Sequence, residues 1–528
     1  MEENANLTSK DEKRDFAEFD DVFEHVSSLG RYQLLVTFFT GFVLIFPVTT
    51  HFTLLVFANG TPKFECVTPN VTCGGVKKCC DECDSYEFTG IFKSTTSEWN
   101  LICDRAFLGA TIQSCFFAGM LVGSFVTGII SDAWGRKKCI FACNAVMILT
   151  GVTSALVDSV PLFTFLRFVV GFSLTGVMLT QYIYVMELIG PTKRTLAGNL
   201  EFLFFNGFQP LFVGIAYFVR DWRHLILIST LPAVFVVSFL EDLSPSLPDG
   251  SSLTIAWLRL NPSSKTFGGK DKKPIDSEAL KSLLEDVRKD QLEREKEAKK
   301  YTPIDMIRSS KLRKWTMIFC FQWFAVALVS FGIFLFVNQL VGNIYANYFI
   351  MEAVACVKLP ATWYLYLKFG RRASHAVTLF LVGFTFLLVL FLYKDHETST
   401  TALSIIGYLL IDCAWISVYL ITSELFPTVL RNTAQGTGST AARVGGILAP
   451  YIATMSQLPG LSLMFPVVIF AVVGTLAGIL MYWIPETLFS PMHQTIEETE
   501  AAEDDYGIPC CGKRIEFGKP KSKRVIWL

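Results

Sequence analysis

The chain has 528 residues, of which 52 % are hydrophobic and 18 % charged, with a formal net charge of −1. That balance leaves no electrostatic footprint for nucleic acid, and the apolar share exceeds what a disordered or charge-solvated chain carries. An ordinary soluble enzyme is excluded as well. The apolar residues, 47 Phe among them, arrive in long runs separated by short charged stretches, the pattern of membrane spans.

Residues 1–31 lack the basic start and small-residue cleavage site of a signal peptide and read as a cytoplasmic N-terminal tail. A helix of about 20 apolar residues, rising about 1.5 Å each, crosses a hydrocarbon core of about 30 Å. Twelve runs qualify, at 32–58, 106–130, 139–157, 161–186, 195–219, 223–240, 315–337, 343–368, 374–393, 402–422, 434–455 and 465–484. Lipid offers the backbone no hydrogen bonds, so each run predicts a helix and the whole an all-α membrane protein of twelve transmembrane helices. Arg136, Lys137 and Lys138 follow span 2, Lys193 and Arg194 span 4, Arg371 and Arg372 span 8, and Arg431 span 10. Positive loops stay inside, which places these loops, both termini, the loop 241–314 and the tail 485–528 in the cytoplasm and the loop 59–105 outside. A multi-pass protein of the plasma membrane is expected.

Six of the fourteen cysteines, Cys66, Cys73, Cys79, Cys80, Cys83 and Cys103, fall in the loop 59–105. An oxidising exterior pairs them, in a connectivity that spacing does not choose. A zinc reading of Cys80-Asp81-Glu82-Cys83 is the weaker alternative, since no His is near. The sequons at Asn59 and Asn70 lie in the same loop and are candidate glycosylation sites, whereas the one at Asn6 faces the cytosol and stays bare. In the cytoplasmic loop, Leu280, Leu283, Leu284 and Val287 recur at helical spacing within a Glu- and Lys-rich stretch, 277–300, and predict an amphipathic helix that caps the bundle.

The two halves repeat. Glu187 leads through Pro191 to Arg194, and Glu424 through Pro427 to Arg431, 237 residues apart, while Gly135-Arg136-Lys137 matches Gly370-Arg371-Arg372 at an offset of 235. Bundles 32–240 and 315–484 related in this way meet at a pseudo-two-fold axis along the membrane normal and enclose a midplane cavity.

Gly128-Ile129-Ile130-Ser131-Asp132-Ala133-Trp134-Gly135-Arg136-Lys137 resembles the loop signature G-x-x-x-D-x-x-G-R-K of the major facilitator superfamily. Asp132 can accept from the amides of a neighbouring helix N-terminus and Arg136 can pair with a carboxylate such as Glu187. With Arg194, Glu424 and Arg431, these charges form the expected gating set, a latch made when the cytoplasmic ends close together.

A narrower likeness follows from Ser94-Thr95-Thr96-Ser97-Glu98-Trp99, Asp221-Trp222-Arg223, Gly342-Asn343-Ile344-Tyr345, Glu424-Leu425-Phe426-Pro427-Thr428 and Pro485-Glu486-Thr487. Together they resemble the solute-carrier family of organic cation, anion and zwitterion (carnitine-type) transporters, over nearly the whole chain from Gly30 to about Glu500. One departure is Glu241-Asp242-Leu243-Ser244, where the family has P-E-S-P-R-W. The resemblance implies Arg at 443 in anion or carnitine carriers and Asp there in cation carriers; this chain has Arg443, and Lys358 stands where the family usually has an acid. Two cations in one cavity would attract carboxylates and repel a bare organic cation. Asp412 and Glu201 either neutralise part of that field or hold the ammonium end of a zwitterion. Trp323, Phe331, Phe205 and Tyr182 match cavity-facing positions of the family, where flat rings give adaptable stacking; the family's paired Tyr in span 7 reads Ser330-Phe331.

The stretch from Gly436 to Ala441 mimics a dinucleotide fingerprint but lies in a span with no preceding strand, so it reads as small-residue helix packing. Neither G-x-x-x-x-G-K-[ST] nor G-x-S-x-G occurs, so no cofactor, metal or catalytic residue is expected, and driving force comes from solute gradients or from a co-transported or exchanged ion. Cys510-Cys511, near the basic stretch Lys519–Arg524, is a candidate palmitoylation site. The partners expected are small organic ions and the lipid bilayer. The leading expectation is an organic-ion transporter working by alternating access, anions or zwitterions favoured; the rivals are an organic cation transporter and a transporter-like receptor whose outer loop binds a protein.

Overall fold

The computed structural model describes residues 31–68, 79–80, 82–189, 193–235, 302–340, 342–355, 358–393, 396–458, 461–462, 464–488, 490, 493–502, 504 and 506. The tail before residue 31, Asn70, Cys73, the departure at 241–244, the helix expected at 277–300 and Cys510-Cys511 lie outside the described residues.

The long helices of the first half are α1 Arg31–Phe57, α2 Ala106–Trp134, α3 Arg136–Leu156, α4 Val160–Leu188, α5 Arg194–Phe218 and α6 Trp222–Thr230. Those of the second are α7 Ser310–Phe336, α8 Ile344–Ala355, α9 Lys358–Phe369, α10 Arg371–Leu392, α11 Glu397–Leu425, α12 Arg431–Thr454 and α13 Phe465–Leu480. Among the described residues, nine helices are long and apolar enough to cross a membrane. The three expected spans not among them have separate reasons. The span 223–240 is described only to residue 235, and the span 343–368 is helical as two pieces, α8 and α9. The span 434–455 is helical as part of α12, but its Gly, Thr and Arg residues dilute its apolar content. Several helices outrun the apolar count, as α2 does to Trp134, because backbone hydrogen bonding continues past the last lipid-facing side chain.

Close packing inside each half rests on small residues. A Cβ at Gly119 of α2 would lie 2.0 Å from the Phe168 carbonyl oxygen of α4, and one at Gly445 of α12 would lie 2.6 Å from the Phe324 carbonyl oxygen of α7. Backbones that approach so closely gain dispersion contact where lipid gives no hydrophobic drive. Gly438 likewise leaves the space that the Trp323 indole fills, which accounts for the glycine run in α12.

Between the halves, α2 packs on α12 and α5 on α8. The repeat carries the start of α5, Arg194, onto the start of α12, Arg431, and the end of α2, Gly135, onto Gly370 after α9. It therefore exchanges the two interfaces, as a two-fold axis requires. Gly135 and Gly370 also share one backbone state, φ 90° and 89°, in the region that favours glycine.

The loop between α1 and α2 forms one end of the molecule, here the disulfide end; the ends bearing Gly135 and Gly370 are the basic end. In that loop β1 Phe64–Thr68 pairs antiparallel with β2 Ser85–Phe88. Cys66 bonds to Cys83 and Cys79 to Cys103, and Cys80 is disulfide-bonded as well. Cys83 is thus committed to sulfur, which removes the zinc reading of Cys80-x-x-Cys83.

The motifs of the family likeness meet at this end. Ser94 and Ser97 form a capping box for a short helix at Thr95–Glu98, and Asp221 caps α6 through the Arg223 amide. The Glu98 carboxylate then accepts from the Trp222 indole at 2.6 Å and from Arg223 at 2.5 Å, while Arg223 also reaches Asp158 at 2.6 Å. Trp222 is fully buried, stacked edge-on against Trp99 and Phe163. Glu98→Ala leaves that indole N–H without an acceptor, at a cost of about 1–3 kcal/mol. The thermal midpoint of the purified chain should fall by several degrees, and Glu98→Gln, which keeps one acceptor, should recover part of the loss.

Candidate substrate chamber between the two halves

Hydrogen bonds cross between the halves at the disulfide end. The Thr111 and Tyr451 hydroxyls lie 3.1 Å apart, Ser114 Oγ donates to the Ile447 carbonyl at 2.7 Å, and Gln457 Nε2 donates to Thr61 Oγ1 at 3.1 Å. Asn338 Nδ2 donates to the Val56 carbonyl at 3.3 Å, and Tyr345 stacks on Phe57. Below them the rings of Phe117 and Phe331 meet at 4.7 Å, and a Cβ at Gly446 would touch Phe117 at 3.0 Å.

Gly128 continues the Phe117 face of α2 toward the basic end, and Gly436 continues the Ile447 face of α12. A Cβ at either would meet nothing within 4 Å. The two helices therefore touch at the disulfide end and diverge toward the basic end, leaving a wedge between the halves whose roof is the Phe52, Phe116, Phe117 and Phe331 cluster.

Arg443 lies one turn below Ile447 on the diverging face of α12. Its Nε finds no hydrogen-bond partner, and Tyr419 of α11 is its electrostatic neighbour. Tyr419 is in turn within electrostatic reach of Tyr182 in α4, and Tyr182 of Glu201 in α5. Arg443 and Glu201 thus approach one space from opposite halves. Glu201 accepts from Gln181 at 2.9 Å through Oε2, while Oε1 has no partner. Tyr182 is 41 % exposed, and Phe205 packs against Phe52 of the roof at 6.0 Å.

The structure separates the other expected binding residues from this set. Lys358 is held in an ion pair by Asp412, with side chains 10 % and 15 % exposed. The expectation of two chamber cations is therefore corrected to one, because an ammonium already matched by a carboxylate at close range presents little field to a solute. Trp323 is also corrected. It is fully buried, donates to Thr422 Oγ1 at 3.1 Å and packs at 4.4 Å against Tyr419, so it supports the chamber ring and does not face the chamber.

The gating charges form, but within each half. Arg136 Nε pairs with Glu187 at 3.3 Å, and at the repeat-related position Arg371 Nε pairs with Glu424 at 3.3 Å. Glu424 also accepts from Thr487 at 2.6 Å, and Glu486 caps α10 by accepting from the Arg371 amide at 2.8 Å. Asp132 bonds Arg136 and is otherwise exposed, so it accepts from no helix of the other half. Arg431 lies near the Thr428 hydroxyl, and the Arg194 side chain is outside the described residues. The Arg136–Glu187 pair is present with the basic end open, so the expected cross-half latch is corrected to a brace inside one half.

Asn59, a candidate glycan acceptor, is 4 % exposed and accepts from Thr95 Oγ1 at 3.2 Å, which leaves no room for a sugar there. Arg167 escapes the sequence reading because it sits alone inside an apolar run. It is buried in α4, bonds His51 Nδ1 at 3.3 Å and lies over the Phe116 ring at 4.8 Å. Thr230 donates its hydroxyl to Ile226 and so receives from His51 Nε2, which fixes the imidazole tautomer that accepts from Arg167.

The Major Facilitator Superfamily model matches residues 101–450. The chain is 29 % identical to "Organic cation transporter protein" of Drosophila melanogaster, covering 91 % of this chain and 94 % of that one. It is 30 % identical to "Organic cation/carnitine transporter 4" of Arabidopsis thaliana, over 86 % of each. With "Organic anion transporter 3" of Oryctolagus cuniculus it shares 27 % identity, over 91 % and 93 %. In fold it is similar to the xylose transporter XylE of E. coli in an inward open conformation, with a TM-score of 0.60, 16 % identity, and 88 % and 98 % coverage. The chain belongs to the Major Facilitator Superfamily, within the solute carrier 22 family of organic-ion transporters.

Proposed function

We infer that the chain carries small organic ions across the membrane by alternating access, with organic anions and zwitterions preferred to simple cations. The disulfide end faces outside and the basic end the cytoplasm, as the positive loops require. Residues 32–240 and 315–484 act as the two rocking units, with plasma-membrane residence as the expected setting. The observation that carries the preference is Arg443, a guanidinium on the wall of the wedge with an unpartnered Nε. Such a group binds a carboxylate or sulfonate more strongly than water does, since charge-assisted bonds gain in a dry site. The free oxygen of Glu201 on the opposite wall supports zwitterions in particular, for which carboxylate and ammonium would be met from opposite halves. Relatives named for cations and for anions leave both signs open on family grounds. An uptake panel of labelled urate, carnitine and tetraethylammonium in cells expressing the chain decides it: urate or carnitine uptake above tetraethylammonium is expected, and the reverse order overturns the preference.

A further inference from the structure

On α8, Tyr345, Tyr348 and Glu352 recur at spacings of three and four and share one face. That face lies on the seam between the halves: Tyr345 stacks on Phe57 of α1 and meets Tyr217 of α5, and Tyr348 packs edge-on against Phe57 at 5.7 Å. Glu352, at its end, is 1 % exposed. The groups facing it are Tyr348 on its own helix, Tyr408 and Asp412 of α11, and Lys358 of α9; Tyr408 donates its phenol to Glu352 Oε1 at 3.1 Å. Lys358 is spent on Asp412. The cluster therefore holds two carboxylates and one ammonium, and it is sealed from anything the size of an organic ion.

Only the smallest cation can balance such a site, and only a proton needs no space. A carboxylate and a proton give a carboxylic acid with no co-reactant, and the neutral cluster is the form that tolerates a dry seam. One turn away, the tyrosines of the same face hold α8 to the first half, so a change of charge at Glu352 acts directly on an interface that must part during transport.

We propose that Glu352, with Asp412 and Lys358 beside it, is a proton-binding site that couples transport by this chain to a proton gradient, an inference that rests on the transport reading above. The full chain is reconstituted in liposomes with the membrane potential clamped at zero. Labelled carnitine or urate, whichever the panel shows to be carried, is followed in two modes: equilibrium exchange, and accumulation driven by a pH difference of about one unit in either orientation. One proton per solute gives accumulation of up to about tenfold in one orientation. Glu352→Gln is expected to retain exchange and lose accumulation, and Glu352→Asp to restore accumulation. A wild-type chain that exchanges but does not accumulate overturns the proposal, as does a Glu352→Gln chain that accumulates normally. Absence of wild-type exchange with any solute refutes the transport reading itself, and the proposal with it. Should Glu352→Gln fail to fold, Tyr408→Phe removes only the facing phenol O–H; it is expected to move the pH of half-maximal driven uptake, and an unmoved profile overturns the proposal.

Discussion

Arg443→Ala is expected to lower uptake of the preferred organic anion or zwitterion by about 10- to 100-fold. Hydrogen bonds to charged groups contribute about 1.5–3 kcal/mol, and tenfold corresponds to about 1.4 kcal/mol. Arg443→Lys keeps the charge but loses the planar fork, so its effect should be intermediate. Arg443→Asp should go further and admit tetraethylammonium, since a carboxylate facing Glu201 across the wedge makes the space anionic and repels the original solute. Lys358→Ala is a contrasting case. It strands Asp412 beside Glu352, so its damage should appear first as a lower yield of folded protein, with no reversal of charge preference among the molecules that fold. Uptake normalised to surface expression separates the two. Unchanged urate and carnitine uptake in Arg443→Ala would remove Arg443 from the binding set.

How far the sequence alone reaches is clearest at three places. The spans and the repeat are legible because lipid imposes one rule on every residue of a run: the ends of α5 and α12 and the paired turns at Gly135 and Gly370 follow from it directly. The motifs at Ser94–Trp99 and Asp221–Arg223 are legible as family marks but not as a joint, since nothing in their spacing says that Glu98 accepts from Trp222, 124 positions away. Lys358 is the opposite case. Its charge is visible in the sequence and its neutralisation by Asp412 is not, because pairing depends on how α9 and α11 face each other. Arg371–Glu424 was within reach, since the repeat that maps Arg136 onto Arg371 also maps Glu187 onto Glu424. Trp323 misleads for a physical reason: an indole inside a bundle and an indole on its cavity wall have the same sequence context, and only the gap left by Gly438 distinguishes them.

Joining α2 to α12 covalently at the disulfide end is expected to bring transport close to background. The polar contacts there are few, the Thr111–Tyr451 and Ser114–Ile447 hydrogen bonds with the Phe117–Phe331 rings beneath them. At about 1 kcal/mol each they sum to a few kcal/mol, within what differential solute binding can reverse. A covalent link is not. In a chain carrying Ser114→Cys and Ile447→Cys, with the neighbouring Cys115 replaced by Ser, mild oxidation should form the cross-link, because Ser114 Oγ already lies 2.7 Å from the Ile447 backbone. Uptake should fall as the cross-linked fraction rises and return on reduction with dithiothreitol. A parallel pair at the basic end, Gly128→Cys with Gly436→Cys, lies where the helices have diverged, and its cross-linking should become efficient only when solute drives the halves to close there. Uninterrupted uptake by fully cross-linked Ser114→Cys/Ile447→Cys protein would mean that the solute crosses without parting this seam, and the wedge between α2 and α12 would then not be its path.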